Sequence, residues 1–546
     1  MKSLYSDKDA LNYKSDLDLR VYTSRLLGED SSLVLHGGGN TSVKSTVKDL
    51  FGNDEEILYV KGSGWDLSTI KAEGFAPVKM DMLLKMAQLQ ELSDIDMVKY
   101  QRVAMIDPSA PNPSVEAILH AIIPFKFVDH THADAVITIT NTLNAKERIE
   151  EIYKKRVLII PYIMPGFVLA KLVFDMTKNV DWQKLDGLVL MNHGLFTFSD
   201  SAKISYEKTI DLVNKAEKYL QTKNAILDIQ KGSSKIDLLT LAKIRKEVST
   251  LKEKAIISCL NESDLALHFS KENIEKIATQ GPLTPDHVIR TKRIPVILGD
   301  NFSSDLIEYT KAYKSYFNDH KTTQTLLNPA PNFAILKENG SLSFGSSVKE
   351  ANIIKDINEH TYEAILKAEL LGGYKALSPA EIFEVGYWSL EQAKLKSGSK
   401  GSEFGGKIAV ITDGSTTLGA SIAKILNERG AAVVVGDAEL FNEPDSDKKI
   451  QKFVDQIIKS FGGVDIVIYN SVNDKKLVKY IEPFLELGVD PTAVVVNSKD
   501  FNLKDLKASG VRVHTIKSSS KEDLAEVIVA VVGEPFAKIV TTEVII

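Results

Sequence analysis

Cysteine is almost absent from this chain of 546 residues; Cys259 is the only one. A single thiol excludes an intramolecular disulfide and any zinc site built from several thiolates. A positive surplus is lacking too, because 67 Lys+Arg stand against 73 Asp+Glu for a net charge of −6. Such a balance argues against a surface that neutralises a nucleic-acid backbone. No run approaches the roughly 20 apolar residues of a membrane span. The opening MKSLYSDKDALNYKSD is charged throughout, without the apolar core of a signal peptide. These absences set the expectation of a cytoplasmic protein whose partners include neither membrane nor nucleic acid. The remainder is of ordinary globular composition, 44% hydrophobic and 26% charged. At roughly 100–200 residues per domain, three or four domains are expected.

Composition divides the chain into α/β parts. Residues 1–225 alternate short apolar runs with helical segments: VITIT (136–140), VLIIP (157–161) and GLVLMNHG (187–194) read as strands, and Ser201–Leu220 as a helix. Residues 226–396 read as a helix-rich middle domain with one strand-like insert near RIPVILGD (293–300). Residues 397–406, SGSKGSEFGG, have the composition of a flexible linker. Residues 407–546 carry continuous apolar strands separated by helices, the pattern of a Rossmann-like parallel sheet. A weak internal echo joins the first two parts. Gly194–Lys203 resembles Gly340–Lys349, and Asp129-His130 has a partner in Asp286-His287, as in a degenerate second copy.

VDHTHADAV places His130 and His132 two residues apart on an expected strand, hence on one face. His193 closes the apolar run GLVLMNHG. Three neutral imidazoles with an open fourth position suit a catalytic zinc ion, whereas structural zinc sites are closed by four protein ligands. Glu116, in NPSVEAILHAIIP, falls in the first turn of a helix for which Ser114 is a potential N-cap. Its carboxylate either complements the helix dipole or moves a proton beside a metal-bound carbonyl. His120, one turn on, either contacts it or packs locally. The loops LHGGGNTSV (35–43) and VKGSGWDLS (60–68) offer unobstructed backbone N–H groups to an anion, and Ser114 at a helix N-terminus can join them.

GGGNTS, KGSGWDLS, PSVEAILHA, VDHTHAD and MNHG, in this order, resemble the class II aldolase/adducin family. The resemblance implies a domain with a largely antiparallel central sheet, assembled as a homo-oligomer. It implies Zn2+ or another divalent metal on His130, His132 and His193, with Glu116 as catalytic acid/base. Asn40, Ser63, Gly64 and Ser114 would then hold the substrate phosphate. TPDHVIRTKR (284–293), AELLGGYKAL (368–377) and YWSLEQAKL (387–395) extend the resemblance to long fusions of a rhamnulose-1-phosphate aldolase with a short-chain alcohol dehydrogenase. The expected activity is a lyase reaction that splits a ketose phosphate such as rhamnulose 1-phosphate into dihydroxyacetone phosphate and an aldehyde. Alternatives within the family are a pentulose-phosphate epimerase or a dehydratase using the same site, and a non-enzymatic adducin-like scaffold. The scaffold reading is disfavoured because all three histidines and Glu116 are kept.

The last part departs from its dehydrogenase relatives. Their TGxxxGxG becomes Thr412-Asp-Gly-Ser-Thr-Thr-Leu-Gly419, with Asp413 and Thr417 at two glycine positions and only Gly419 retained. Asp437, at the end of the second strand, is placed to hydrogen-bond a ribose, but the Tyr-x-x-x-Lys pair of those enzymes is missing. A truncated fold, NAD(P) binding weak or absent and dehydrogenase activity lost are the expectations.

Overall fold

The computed structural model describes residues 1–392, 401–436, 440, 446–470, 475–496, 510–517, 524–533 and 541–545. The chain forms two compact units whose segments interleave along the sequence. The first comprises Met1–Asp228, Glu275–Ile294 and Ile357–Ser397; the second comprises Ile229–Ile274, Pro295–Asp356 and Gly398–Ile546. Among the described residues no helix is long and apolar enough to cross a membrane.

The first unit is built on seven strands: β1 (Asn40–Lys48), β2 (Asp54–Lys61), β3 (Phe75–Lys79), β4 (Phe127–Thr131), β5 (Val157–Ile160), β6 (Gly187–Leu190) and β7 (Gly194–Ser199). Their order is β3-β2-β1-β4-β7-β6-β5. β5 and β6 pair in parallel and the other neighbours antiparallel, so the sheet is largely antiparallel as expected. Side-chain alternation explains why β6 and β7 read as continuous apolar runs. Leu188, Leu190, Phe196 and Phe198 pack on one face against Leu169 and Val173. Val189 and Leu195 pack on the other against Tyr206, Ile210 and Val213 of the helix Ala202–Thr222.

Two local expectations are corrected here. The β-branched run 136–140, read as a strand, lies in the helix Asp134–Thr140. Val136 and Ile139, one turn apart, join the core around Tyr206, so tertiary packing overrides strand propensity. The HxH pair is not wholly on a strand either: β4 ends at Thr131, and His132 is the next residue.

The second unit contains a four-stranded sheet, β8 (Ile257–Asn261), β9 (Val296–Leu298), β10 (Phe333–Leu336) and β11 (Gly340–Gly345), in the order β8-β11-β10-β9. The middle part is therefore not helical with one strand-like insert; strands this short leave little periodicity to read. This sheet repeats the β4-β7-β6-β5 half of the first one. β8–β11 and β10–β11 are antiparallel and β9–β10 parallel, matching β4–β7, β6–β7 and β5–β6. The long helices Ala202–Thr222 and Val348–Leu370 follow Gly194 and Gly340 at the same spacing.

Register fixes the correspondence, and it corrects the echo read from sequence. Thr131 pairs with Leu195 and Asn261 with Ser341, so β8, not Asp286-His287, is the counterpart of β4. The positions of His130, His132 and His193 then hold Leu260, Glu262 and Asn339. The copy keeps the topology and has lost the imidazoles.

The second unit also holds a six-stranded parallel sheet: β12 (Ile408–Ile411), β13 (Ala432–Val435), β14 (Ile466–Tyr469), β15 (Thr492–Val496), β16 (Arg512–Lys517) and β17 (Thr541–Ile545). The order β13-β12-β14-β15-β16-β17, every pair parallel, is doubly wound with its switch point between β12 and β14. Of the segment read as a linker, residues 401–406 are described, and Gly401, Ser402 and Glu403 are exposed. Phe404 is buried in the core with Ile422, Leu426 and Val532.

A buried ion pair joins the two sheets of this unit. Arg245, on the helix Leu238–Lys252, places Nη1 2.9 Å from Asp465 Oδ1 and Nη2 2.6 Å from Asp465 Oδ2. Asp465 also accepts from Ile408 N (2.8 Å) and Val489 N (2.6 Å), and Arg245 donates to the carbonyls of Ile256 and Gly406. Removing one partner of such a pair leaves a desolvated charge, a loss of about 3–5 kcal/mol. Asp465→Ala should therefore lower the stability of the second unit by that amount in urea denaturation of the full chain. A loss below about 0.5 kcal/mol, the usual effect of a surface substitution, would show that the pair is not buried in solution.

Candidate functional site

β4 delivers His130 into the first unit's site because its neighbour is anchored on the opposite face. Asp129 meets Arg20 of the helix Asp16–Gly28 (Nη2 to Oδ1 2.5 Å), both side chains fully buried, and accepts from Ser205 Oγ at 2.5 Å. Alternation then turns His130 the other way. It stacks on Phe196 (centroids 4.1 Å apart), and its Nδ1 lies 3.1 Å from the Leu195 carbonyl. His132 follows immediately, with its Nε2 3.1 Å from His130 Nε2.

His193 comes from the β6–β7 turn. Asn192 adopts a left-handed φ of 57° there, and its side chain is held by Asn141 Oδ1 at 2.9 Å. Gly194 must follow, since a Cβ would lie 2.5 Å from Thr131 O and 2.9 Å from His130 Cε1.

One ligand atom from each of His130, His132 and His193 lies within 4.8 Å of the others, the one such group among the described residues. His130 and His193 are buried, and burial pushes His193 down to about 3 against the opposing pull of Glu116. Burial, reinforced by His132, holds His130 well below the ordinary imidazole range. Neutral rings are what an ion requires.

Glu116 borders the cluster. Its Oε2 is 3.5 Å from His130 Nε2 and its Oε1 3.6 Å from His193 Nε2. That Oε1 is buried without a hydrogen-bond partner. A converging set of imidazoles beside an unsatisfied buried carboxylate oxygen fits a divalent ion.

Glu116 is the N-cap residue of the helix Ala117–Ile122 rather than a residue of its first turn. Lys44 anchors the far end of that helix, donating to the carbonyls of His120, Ile123 and Phe125. Asn40 donates to Glu116 Oε2 (2.6 Å) and to Ser114 Oγ (3.1 Å), while its own oxygen meets His120 Nε2. Ser42 Oγ lies 2.8 Å from His120 Nδ1 and completes the chain. His120 is thus a buried link in the support of Glu116, and burial keeps its ring far below the ordinary range.

The remaining expected phosphate residues lie beside this network. Backbone bonds Ser63 N→Asn112 O (2.8 Å) and Ser114 N→Lys61 O (3.1 Å) bring the exposed Ser63-Gly64 loop against Ser114. Gly64 needs its φ of 86° for the turn. Lys61, overlooked in the sequence, is buried beside the loop with its Nζ 3.0 Å from Gly37 O. Burial pushes it down to about 8, with Asp66 and Glu116 opposing. Its only sequence signal is its place immediately before Gly62-Ser63-Gly64. Asp286, whose motif resembles Asp129-His130 in sequence, also reaches this site, its Oδ1 3.6 Å from His132 Nδ1.

In the parallel sheet, Gly419 sits where close approach demands it, since a Cβ would fall 1.9 Å from Asp413 O. Asp413 turns its carboxylate onto Ser415, accepting from N (3.1 Å) and Oγ (2.6 Å). Thr416 caps the helix Thr417–Glu428, and Asn470 Nδ2 donates to Thr416 Oγ1 at 3.0 Å. The end of the loop between β12 and that helix is thus bonded to the protein's own side chains. Asp437 lies outside the described residues.

This fold and site define a class II aldolase-type protein. Residues 19–220 match the class II aldolase and adducin N-terminal domain, and residues 235–395 the aldolase class II second domain. The chain belongs to the class II aldolase and adducin family. It is 27% identical over 515 residues to the uncharacterized oxidoreductase YuxG of Bacillus subtilis (strain 168), covering 86% of this chain and 74% of that protein. The solved N-terminal class II aldolase domain of a conserved protein from Thermoplasma acidophilum is 44% identical, covering 40% of this chain and 99% of that one, with a TM-score of 0.37. The sugar-phosphate aldolase of Thermotoga maritima is 14% identical over 38% of this chain and 96% of that one, with a TM-score of 0.28.

Gly194→Ala tests the packing of the cluster. The new methyl has backbone on one side and two imidazoles on the other, so overpacking should cost about 1–3 kcal/mol. Thermal unfolding of the full chain reads the loss; an unchanged midpoint would mean that the β6–β7 turn yields freely.

Proposed function

We propose that this chain is a divalent-metal-dependent aldolase, with zinc the ion of choice, that splits a ketose phosphate into dihydroxyacetone phosphate and an aldehyde. The observation that carries the reading is the buried Glu116 carboxylate against the neutral imidazoles of His130 and His193, with His132 completing the ligand set. When bound, the ion supplies Lewis-acid polarisation of the substrate carbonyl. Glu116 takes the proton of the C4 hydroxyl as the C3–C4 bond breaks; the bonding electrons pass to the carbonyl at C2, and the aldehyde departs from the enediolate of the triose phosphate. Glu116 delivers a proton to C3 of that enediolate and, in the synthetic direction, removes it again. Asn40 holds Glu116 Oε2, which leaves Oε1, beside His193, to carry the proton. Ser63, Gly64, Ser114 and the Lys61 ammonium receive the phosphate, with Asn40 linking that pocket to the acid.

Metal analysis and a panel of ketose 1-phosphates assayed for triose-phosphate release test the reading. About one ion per chain is expected, with occupancy falling sharply in His132→Ala. Glu116→Gln should keep the metal while turnover falls roughly 10²–10⁴-fold. Full metal content after loss of both His130 and His132 would sink the ligand assignment. Near-normal turnover in Glu116→Gln would assign the proton to another group.

The parallel-sheet domain is read as structural, with no dehydrogenase activity. Support comes from Asp413 and Thr417 at two glycine positions and from the loop's bonds to Ser415 and Asn470. Calorimetric titration with NAD, NADH and NADPH should show weak binding or none, and micromolar affinity would overturn this assignment.

A further inference from the structure

We infer that Asp286, supplied by the region matching the second aldolase domain, is a positioning residue that orients His132 toward the metal. The inference rests on reading His130, His132 and His193 as metal ligands. An imidazole that binds an ion through one nitrogen carries its proton on the other, and an acceptor for that proton fixes both tautomer and ring orientation. His130 has such an acceptor in the Leu195 carbonyl, 3.1 Å from Nδ1, which leaves Nε2 for the cluster. His132 also turns Nε2 inward, 3.1 Å from His130 Nε2. The group facing its Nδ1 is the Asp286 carboxylate at 3.6 Å, an ion-pair spacing rather than a closed hydrogen bond. Asp286 thus stands behind His132 and is absent from the converging ligand group.

The carboxylate is itself held. Thr284 Oγ1 donates to Asp286 Oδ1 at 2.6 Å, while the Asp286 backbone opens the short helix His287–Thr291 without a side-chain cap. The segment before it is tied to the site by Asn141. This side chain donates to Leu283 O at 2.9 Å and accepts from Asn192, the residue preceding His193, at 2.9 Å. A second tie from the same region lies just beyond His132, where His360 Nδ1 meets Asp134 Oδ2 at 2.5 Å. Residues far outside the first family match therefore brace the backbone and ring of one ligand.

Chelator competition for Zn2+ on the full chain, with visible absorption of the Co2+-loaded protein, tests this. Asp286→Asn, nearly isosteric, should weaken Zn2+ binding about 10–100-fold and shift the cobalt bands at saturation. Asp286→Glu should restore part of the affinity. Thr284→Val, which only loosens the carboxylate, should weaken binding in the same direction and carries the test if Asp286→Asn fails to fold. Wild-type affinity and an unchanged cobalt spectrum in the folded variant would overturn the inference. Wild-type protein that binds no Zn2+, or His132→Ala that binds it normally, would overturn the ligand assignment instead.

Discussion

The Arg20–Asp129 pair governs the first unit because it decides which way the central strand faces. Both charges are fully buried; Asp129 also accepts from Ser205, and Arg20 donates to Thr23, Ser24 and the Ser42 carbonyl. Loss of either partner would strand a desolvated charge between the sheet and its helices. With Asp129 committed to the helical side, His130 has to emerge on the other, against Phe196 and Glu116. The same strand register aligns Asn40 with His130 across β1 and β4. One ion pair thereby fixes the face on which His130 joins the histidine cluster.

The four-stranded sheet of the second unit repeats part of that architecture without the three histidines. β8-β11-β10-β9 retains the hairpin, the parallel neighbour and the following long helix. Leu260, Glu262 and Asn339 replace the three imidazoles. The buried fixture of the second unit is Arg245, whose guanidinium forks onto Asp465 just before β14, an inner strand of the parallel sheet. In the first unit a buried arginine stabilises the strand that carries His130. In the second, a buried arginine joins two sheets.

Much of the site was readable from residue types alone. Imidazoles at 130, 132 and 193, a carboxylate at a helix start and glycine loops each have chemistry that needs no coordinates. The strands of residues 407–496 were equally readable, because burial on both faces produces uninterrupted apolar runs. Helix 134–140 was not, since its β-branched residues favour a strand until Val136 and Ile139 find the core. The β8–β11 sheet escaped for a related reason: strands of three to six residues are too short to display a period.

Sequence proximity and chemical likeness also misplaced one motif. Asp286-His287 resembles Asp129-His130, yet strand register assigns the copy to residues 257–261 and places Asp286 behind His132. No local pattern records that arrangement, because it depends on contacts between residues about 150 positions apart. The sequence set which groups were available: their charge, their ligating atoms and the secondary structure their neighbours favour. Folding set their partners, turning Asn40 onto Glu116, Lys61 toward the glycine loop and Asp286 toward the His132 ring. The reason is physical: ionisable chemistry belongs to single residues, whereas burial, register and hydrogen-bond pairing exist only between them.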